Sequence, residues 1–497
     1  MFVQGVLPSL IPESRSRAVT RAIRTDLGDV AWVRGEATDY TETEARGRRV
    51  YIREGCWYCH SQYVRPVAGE EMRWGPLSQA GEYAFDLPHL MSTRRIGPDL
   101  TRVGLKYSDD WHYAHLWNPR LTVPDSIMPR VAWLFEQIEE PYERDAAGRR
   151  LAPSAALRRY FTLRTDRPIV LYPSEAGLAF VRPPADGAFP VDGTPVLDGP
   201  SVTPGAGTRA GAAPVARTIR LVVPTPDMIA LVRYLQKLGT NRGIWRDAFE
   251  PQNVSVSVMT IPRTDDLLHR GQRVYEYRCL GCHGARGNGH GPAATFLDPR
   301  PRDFTAGVFK FRSTPSGSLP TDGDLFQTVT RGVRWTAMPP WHELAEKDRL
   351  AVVTYVKTFS DRFRTEAPEA VVLPKPPPAT ADVVARGKTL YTSAKCFECH
   401  GERGTGDGPS ASQLKDDFDV PIRPTDFTRG QFKGGSSVSD IFRAMTLGLD
   451  GTPMPSFGDS MSDGERWAIS YYVLSLSAWT DPLTGRKIAR GEVRGRR

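Results

Sequence analysis

The sequence predicts a mainly α protein of three tandem units, and three repeated features predict it. One pentapeptide of the pattern Cys-x-x-Cys-His occurs at Cys56–His60, Cys279–His283 and Cys396–His400. Ahead of each stands Arg-Gly-x-x-apolar-Tyr: Arg46-Gly47 with Tyr51, Arg270-Gly271 with Tyr275, and Arg386-Gly387 with Tyr391. A second helical pattern closes each unit, near 227–238, 346–359 and 463–476, with Tyr234, Tyr355 and Tyr472 in matching places. Repetition on this scale sets the architecture before any single residue is weighed.

The pentapeptides carry the chemistry. They use all six cysteines of the chain. Cys-x-x-Cys-His is the attachment signature of c-type haem. Cys56 and Cys59, Cys279 and Cys282, and Cys396 and Cys399 would each form two thioethers to haem vinyl groups. His60, His283 and His400 would then lie under the irons as proximal ligands. No cysteine remains for a disulfide, a zinc site or a nucleophile. The expected complement is three covalently bound haem c.

A chain of 497 residues fits about three domains. The reading divides it into an N-terminal segment 1–45, a first haem unit 46–240 with an insert at about 136–224, a second unit 262–362, a third 382–480, and a basic tail 481–497. The net charge is +8, with basic residues spread along the chain, which excludes nucleic acid as a partner. The tail reads as a solvated end; the competing reading is an electrostatic contact with an acidic partner or anionic lipid. The sequence has no apolar run of 18 residues and no secretory signal. Haem c is attached outside the bacterial cytoplasmic membrane, so export is required. Residues 1–8 read as the outer end of a hydrophobic segment, and a membrane anchor is expected to precede Met1.

Each element follows from local chemistry. The helix entering each haem motif carries a glycine on one face, which lets a second helix pack closely. The closing helices have recognisable starts: Thr225 before Pro226, and Ser462 with Glu465 in a capping-box pattern. Glycine-rich turns at 284–292 and 401–409 suit a loop wrapped close to a flat macrocycle. They lack the Gly-Lys-Ser/Thr of a phosphate-binding loop. Linkers are expected at about 239–264 and 365–381, the latter stiffened by Pro374-Lys375-Pro376-Pro377-Pro378. In the insert, 169–172 and 218–223 read as short strands, and 183–215 as irregular.

Methionine or a second histidine usually completes such an iron, and methionine gives the higher potential. Met128, Met338 and Met454 each precede proline, which holds the loop extended. Met338 follows His283 by 55 residues and Met454 follows His400 by 54; Met128 follows His60 by 68. Core filling is the bland alternative for a methionine. His89, His112 and His115 rival Met128, and His290 and His342 rival Met338. The third unit has no histidine after His400.

The crossing of first and last helices over glycine and tyrosine resembles class I cytochrome c folds. The expected architecture is therefore three class I cytochrome c domains in tandem, with a long irregular or short-strand insert in the first. The first unit resembles a narrower family. Its residues 47–62, Arg65-Pro66, 78–83, 95–100, 107–112, 115–120 and 124–129 are similar to the mono-haem subunit of cbb-type (C-family) haem–copper cytochrome c oxidases. The resemblance implies an electron-transfer subunit on the periplasmic face of the bacterial cytoplasmic membrane. Its expected partners are a haem–copper catalytic membrane subunit and a soluble or membrane-bound electron donor. It also implies His60 and Met128 as iron ligands. The insert is longer than the family leads one to expect, and the last two units look like generic di-haem cytochromes. A nitric oxide reductase or a periplasmic dehydrogenase would also accommodate such a cytochrome. A di-haem peroxidase would need an open iron site, which three Met-Pro ligands would deny.

Overall fold

Each unit closes where its first helix crosses its last, and a glycine sets how near they come. The computed structural model describes residues 16–104, 106–142, 162–163, 178–182, 191–192, 217–249, 260–417 and 422–493. Unit 1 is built on α1 (Glu42–Arg53), α2 (Asp109–Trp117) and α3 (Pro226–Lys237). Unit 2 has α4 (Asp265–Arg278), α5 (Asp322–Arg331) and α6 (Glu346–Val356). Unit 3 has α7 (Ala381–Ser393), α8 (Val438–Leu447) and α9 (Asp463–Ser475). A Cβ on Gly47 would stand 1.9 Å from the Ala230 carbonyl oxygen. On Gly271 it would stand 2.1 Å from that of Ala351, and on Gly387 2.0 Å from that of Ala468. Any other residue would push the helices apart. Paired tyrosines fill the space beside each glycine, with ring centroids 5.4 Å apart for Tyr51–Tyr234, 5.4 Å for Tyr275–Tyr355 and 5.3 Å for Tyr391–Tyr472.

The caps match the sequence. Thr225 accepts the Met228 N–H at 3.3 Å, and the Glu465 carboxylate accepts the Ser462 N–H at 2.9 Å. No helix among the described residues is long and apolar enough to cross a membrane.

Residues 16–36 lie in the N-terminal segment, beyond the stretch 1–8 that reads as the end of a hydrophobic segment. They form an antiparallel hairpin, β1 (Ala18–Arg24) with β2 (Val30–Glu36), in register Ala18↔Glu36 to Arg24↔Val30. Residues 1–15 lie outside the described residues. The hairpin packs on unit 1, where the Thr20 N–H meets Gln79 Oε1 at 2.7 Å, and on unit 3, where the Trp479 N–H meets the Arg24 carbonyl at 3.0 Å.

The insert starts as β3 (Phe135–Tyr142), which pairs antiparallel with β5 (Arg217–Pro224); β4 (Leu178–Phe180) runs parallel to β5 on its other side. The strand expected at 218–223 falls inside β5. The one expected at 169–172, and the irregular stretch apart from 191–192, lie outside the described residues. β4 wedges Phe180 between Tyr113 of unit 1 and Phe296 of unit 2, at 5.3 and 4.7 Å, so the two units share one apolar core.

The expected linker at 239–264 is corrected at its start. Trp245–Phe249 is helical, and Arg242, Trp245, Arg246 and Asp247 are buried. Asp247 faces Arg24 at 2.8 Å and Arg334 at 2.7 Å, and Arg24 also donates to the Gly430 carbonyl at 2.7 Å. This buried knot ties the hairpin and the segment after unit 1 to units 2 and 3. The proline-rich linker carries no helix or strand, and Tyr471 Oη fastens it by donating to the Pro377 carbonyl at 2.6 Å.

Candidate haem sites

Unit 2 holds a cleft of about 840 Å³ whose wall includes Cys279, Cys282, His283 and Met338. Its size and largely apolar lining suit a flat ligand of haem dimensions. The Tyr275 hydroxyl on α4 donates to the Gly284 carbonyl at 2.7 Å, fixing the pentapeptide to its helix. His283 Nδ1 faces the Arg302 carbonyl at 3.1 Å, and Phe304 stacks on the imidazole with centroids 4.4 Å apart. With Nδ1 held by a carbonyl, Nε2 is left to ligate a metal. Burial pulls the His283 pKa down to about 4, so the ring is neutral, as a ligand must be. Burial pushes Cys279 and Cys282 up to about 12, the reverse of what an activated thiolate shows.

Unit 3 repeats the device. Tyr391 Oη donates to the Gly401 carbonyl at 2.8 Å, and Phe427 stacks on His400 at 4.4 Å. The Thr425 carbonyl faces His400 without closing a hydrogen bond. Burial lowers His400 to about 4 and raises Cys396 to about 11, with Cys399 also raised. In both units a glycine carbonyl receives the phenylalanine N–H: Gly287 from Phe304 and Gly404 from Phe427, each at 2.7 Å. Both glycines have positive φ, 67° and 73°, so the turn is open only to glycine at low cost.

Unit 1 reaches the same end differently. His60 Nδ1 meets the Pro98 carbonyl at 2.8 Å, but among the described residues no phenylalanine stacks on the ring. Gly97 lies against it instead; a Cβ there would stand 2.2 Å from the imidazole. The loop is pinned by polar groups. Ser61 Oγ donates to Asp99 at 2.6 Å, and Arg95 reaches Ser61 at 2.7 Å and Glu70 at 2.7 Å. Burial lowers His60 and raises Cys56 to about 12.

The three Met-Pro loops share a feature the sequence reading missed. Ser126, Thr336 and Thr452 each accept the N–H of the methionine two residues on, at 3.2, 3.1 and 3.3 Å. Ser/Thr-x-Met-Pro was visible in all three copies and signals a fixed turn. Met128 packs in the cluster that holds Cys56, and Met454 in that of Cys396. Among the rival histidines, His112 is buried, and His115 stacks on Trp111 at 4.5 Å with Nδ1 on Thr122 Oγ1 at 2.8 Å. His89 lies edge-on to Tyr83, and His290 is engaged with Arg300 at 3.0 Å; His342 is half-buried.

Known proteins show the same division. Residues 28–152 match the family described as cytochrome c oxidase, mono-heme subunit/FixO. Residues 266–356 match cytochrome c oxidase, cbb3-type, subunit III, and residues 384–477 match cytochrome c. The chain joins a cbb3-type mono-haem module to two cytochrome c domains. It is 25% identical over 227 residues to the cbb3-type cytochrome c oxidase subunit CcoP of Azospirillum sp. (strain B510), covering 44% of this chain and 67% of that one. A chain of the reducing HAO-like protein complex of Kuenenia stuttgartiensis is 46% identical, with 44% of this chain and 99% of that one covered and a TM-score of 0.42. This is a c-type cytochrome with an electron-transfer role, and its cytochrome c domains carry covalently bound haem c.

Proposed function

We propose that this cytochrome carries three haems and passes electrons to the haem–copper catalytic subunit of a terminal oxidase, at the periplasmic face of the membrane. One observation carries the reading. Three attachment pentapeptides each hold a histidine, buried at His283 and half-buried at His60 and His400, and each unit offers a methionine from a Ser/Thr-x-Met-Pro turn. His60 with Met128, His283 with Met338, and His400 with Met454 would be the axial pairs. Bound haem supplies a one-electron couple. The chain's residues would bury it, fix the imidazole and exclude water, so that electron transfer would need little rearrangement.

The order of the units supports a route. The unit 2 cleft is walled by Tyr107, Trp111 and Thr122 from unit 1 and by Asp416 and Lys433 from unit 3. Unit 2 is thus the middle station, and unit 1, which resembles the oxidase mono-haem subunit, is the exit. The test is purification from native membranes with haem counted per chain. Three haems and a co-purifying haem–copper subunit that consumes oxygen support the proposal. Fewer haems, or a partner that reduces nitric oxide or oxidises an alcohol, would overturn it.

A further inference from the structure

Two lysines stand at the same place in the internal repeat. Phe304 precedes Lys310 by six residues, and Phe427 precedes Lys433 by six; Phe309 and Phe432 sit directly before them. These phenylalanines are buried, which fixes each lysine's backbone. Both lysines line the unit 2 cleft, although Lys433 belongs to unit 3. Both also line a second cavity of about 60 Å³ between units 2 and 3. They therefore share the wall between the second haem site and the neighbouring unit.

The surrounding interface is firmly made. Arg312 donates to the Leu447 carbonyl at 3.0 Å, and Trp335 Nε1 to the Gln431 carbonyl at 3.0 Å. Neither lysine makes a hydrogen bond or ion pair among the described residues. Asp416 acts on Lys310, and Asp298 on Lys433, only through space. Burial lowers both, Lys310 to about 7, and the nearness of Lys433 adds to that. Two mutually repelling, half-enclosed cations are a costly arrangement unless an anion joins them.

We propose that Lys310 and Lys433 together bind propionate carboxylates of the haem in unit 2, so that unit 3 lends a charge to its neighbour's haem. The proposal rests on the three-haem reading. A cation near the carboxylates favours the reduced haem, so the lysine of one unit sets the potential of the other unit's iron. The repeat explains why both are lysine: each unit supplies the same position to one shared boundary.

The test is an equilibrium redox titration of the full holoprotein. The unit 2 wave is identified as the one that moves in Met338→His. Lys433→Gln should shift that wave toward the oxidised form by about tenfold, or ~59 mV for a one-electron couple. Lys433→Arg, which keeps the charge and the reach, should hold it near the wild-type position. Lys310→Gln should shift the same wave in the same direction. An unmoved unit 2 wave in Lys433→Gln would overturn the proposal. So would a shift confined to the unit 3 wave, or equal shifts in Lys433→Arg and Lys433→Gln. If Lys433→Gln fails to mature, Lys310→Gln and Lys433→Arg decide the matter. A wild-type sample with fewer than three haems would sink the three-haem reading; three haems with unmoved potentials would sink the lysine pair alone.

Discussion

Unit 1 and units 2 and 3 solve one problem with different parts. In units 2 and 3 the pentapeptide histidine is held by a stacked phenylalanine, itself hung from a positive-φ glycine. In unit 1 the ring lies against Gly97, and a polar chain of Ser61, Asp99, Arg95 and Glu70 pins the loop. The common elements are the helix crossing and the Ser/Thr-x-Met-Pro turn. The fold thus fixes where the histidine and methionine must be, while the loop beneath the histidine is free to be built from rings or from charges.

That contrast can be broken experimentally. Gly97→Ala should cost the first unit its haem, because the added carbon overlaps the imidazole of His60; haem per chain by pyridine haemochrome should fall by one. Phe304→Ala removes a packed ring but no steric anchor. It should keep the haem and cost about 3 kcal/mol, read from denaturant unfolding of unit 2. Equal haem loss in both variants would erase the distinction.

Asp247 tests whether the units depend on each other. Asp247→Asn removes the carboxylate that faces the buried Arg24 and Arg334. Removing one partner of such a knot should cost about 3–5 kcal/mol and split thermal unfolding into separate steps. A single transition at the wild-type temperature would show that this knot does not hold the units together.

Acid should also distinguish the units. Burial lowers both His112 and His115 in unit 1 to about 3, while unit 3 has only His400, lowered to about 4. A folded pKa below the unfolded one means that the unfolded chain binds more protons. The stabilisation is full above about pH 6.5 and falls by about 1.4 kcal/mol per pH unit toward pH 3. Unit 1 should therefore lose its haem environment first on acidification, and His112→Leu should delay that loss. An unaltered acid midpoint in His112→Leu would contradict this assignment. The smallest effect is expected at the methionine turns. Thr336→Ala should cost about 1 kcal/mol and broaden the thioether-to-iron band of unit 2 alone.

Much of this was legible in the sequence, for a physical reason. The glycine–tyrosine crossing is local to two helices, and each copy states it again. The hairpin at 18–36 was not legible, because what it packs on comes from Gln79, Arg242 and Trp479, far along the chain. Residues 240–249 read as a linker because Asp247 and Arg246 look solvated; their burial depends on Arg24 and Arg334, which no local pattern reveals. The Ser/Thr before each methionine was readable and was overlooked.

Near-infrared magnetic circular dichroism of the fully matured chain, scaled to haem per polypeptide, tests the central claim most directly. Three irons with histidine–methionine bands are predicted. A bis-histidine band from any unit, or fewer than three haems, would contradict the account.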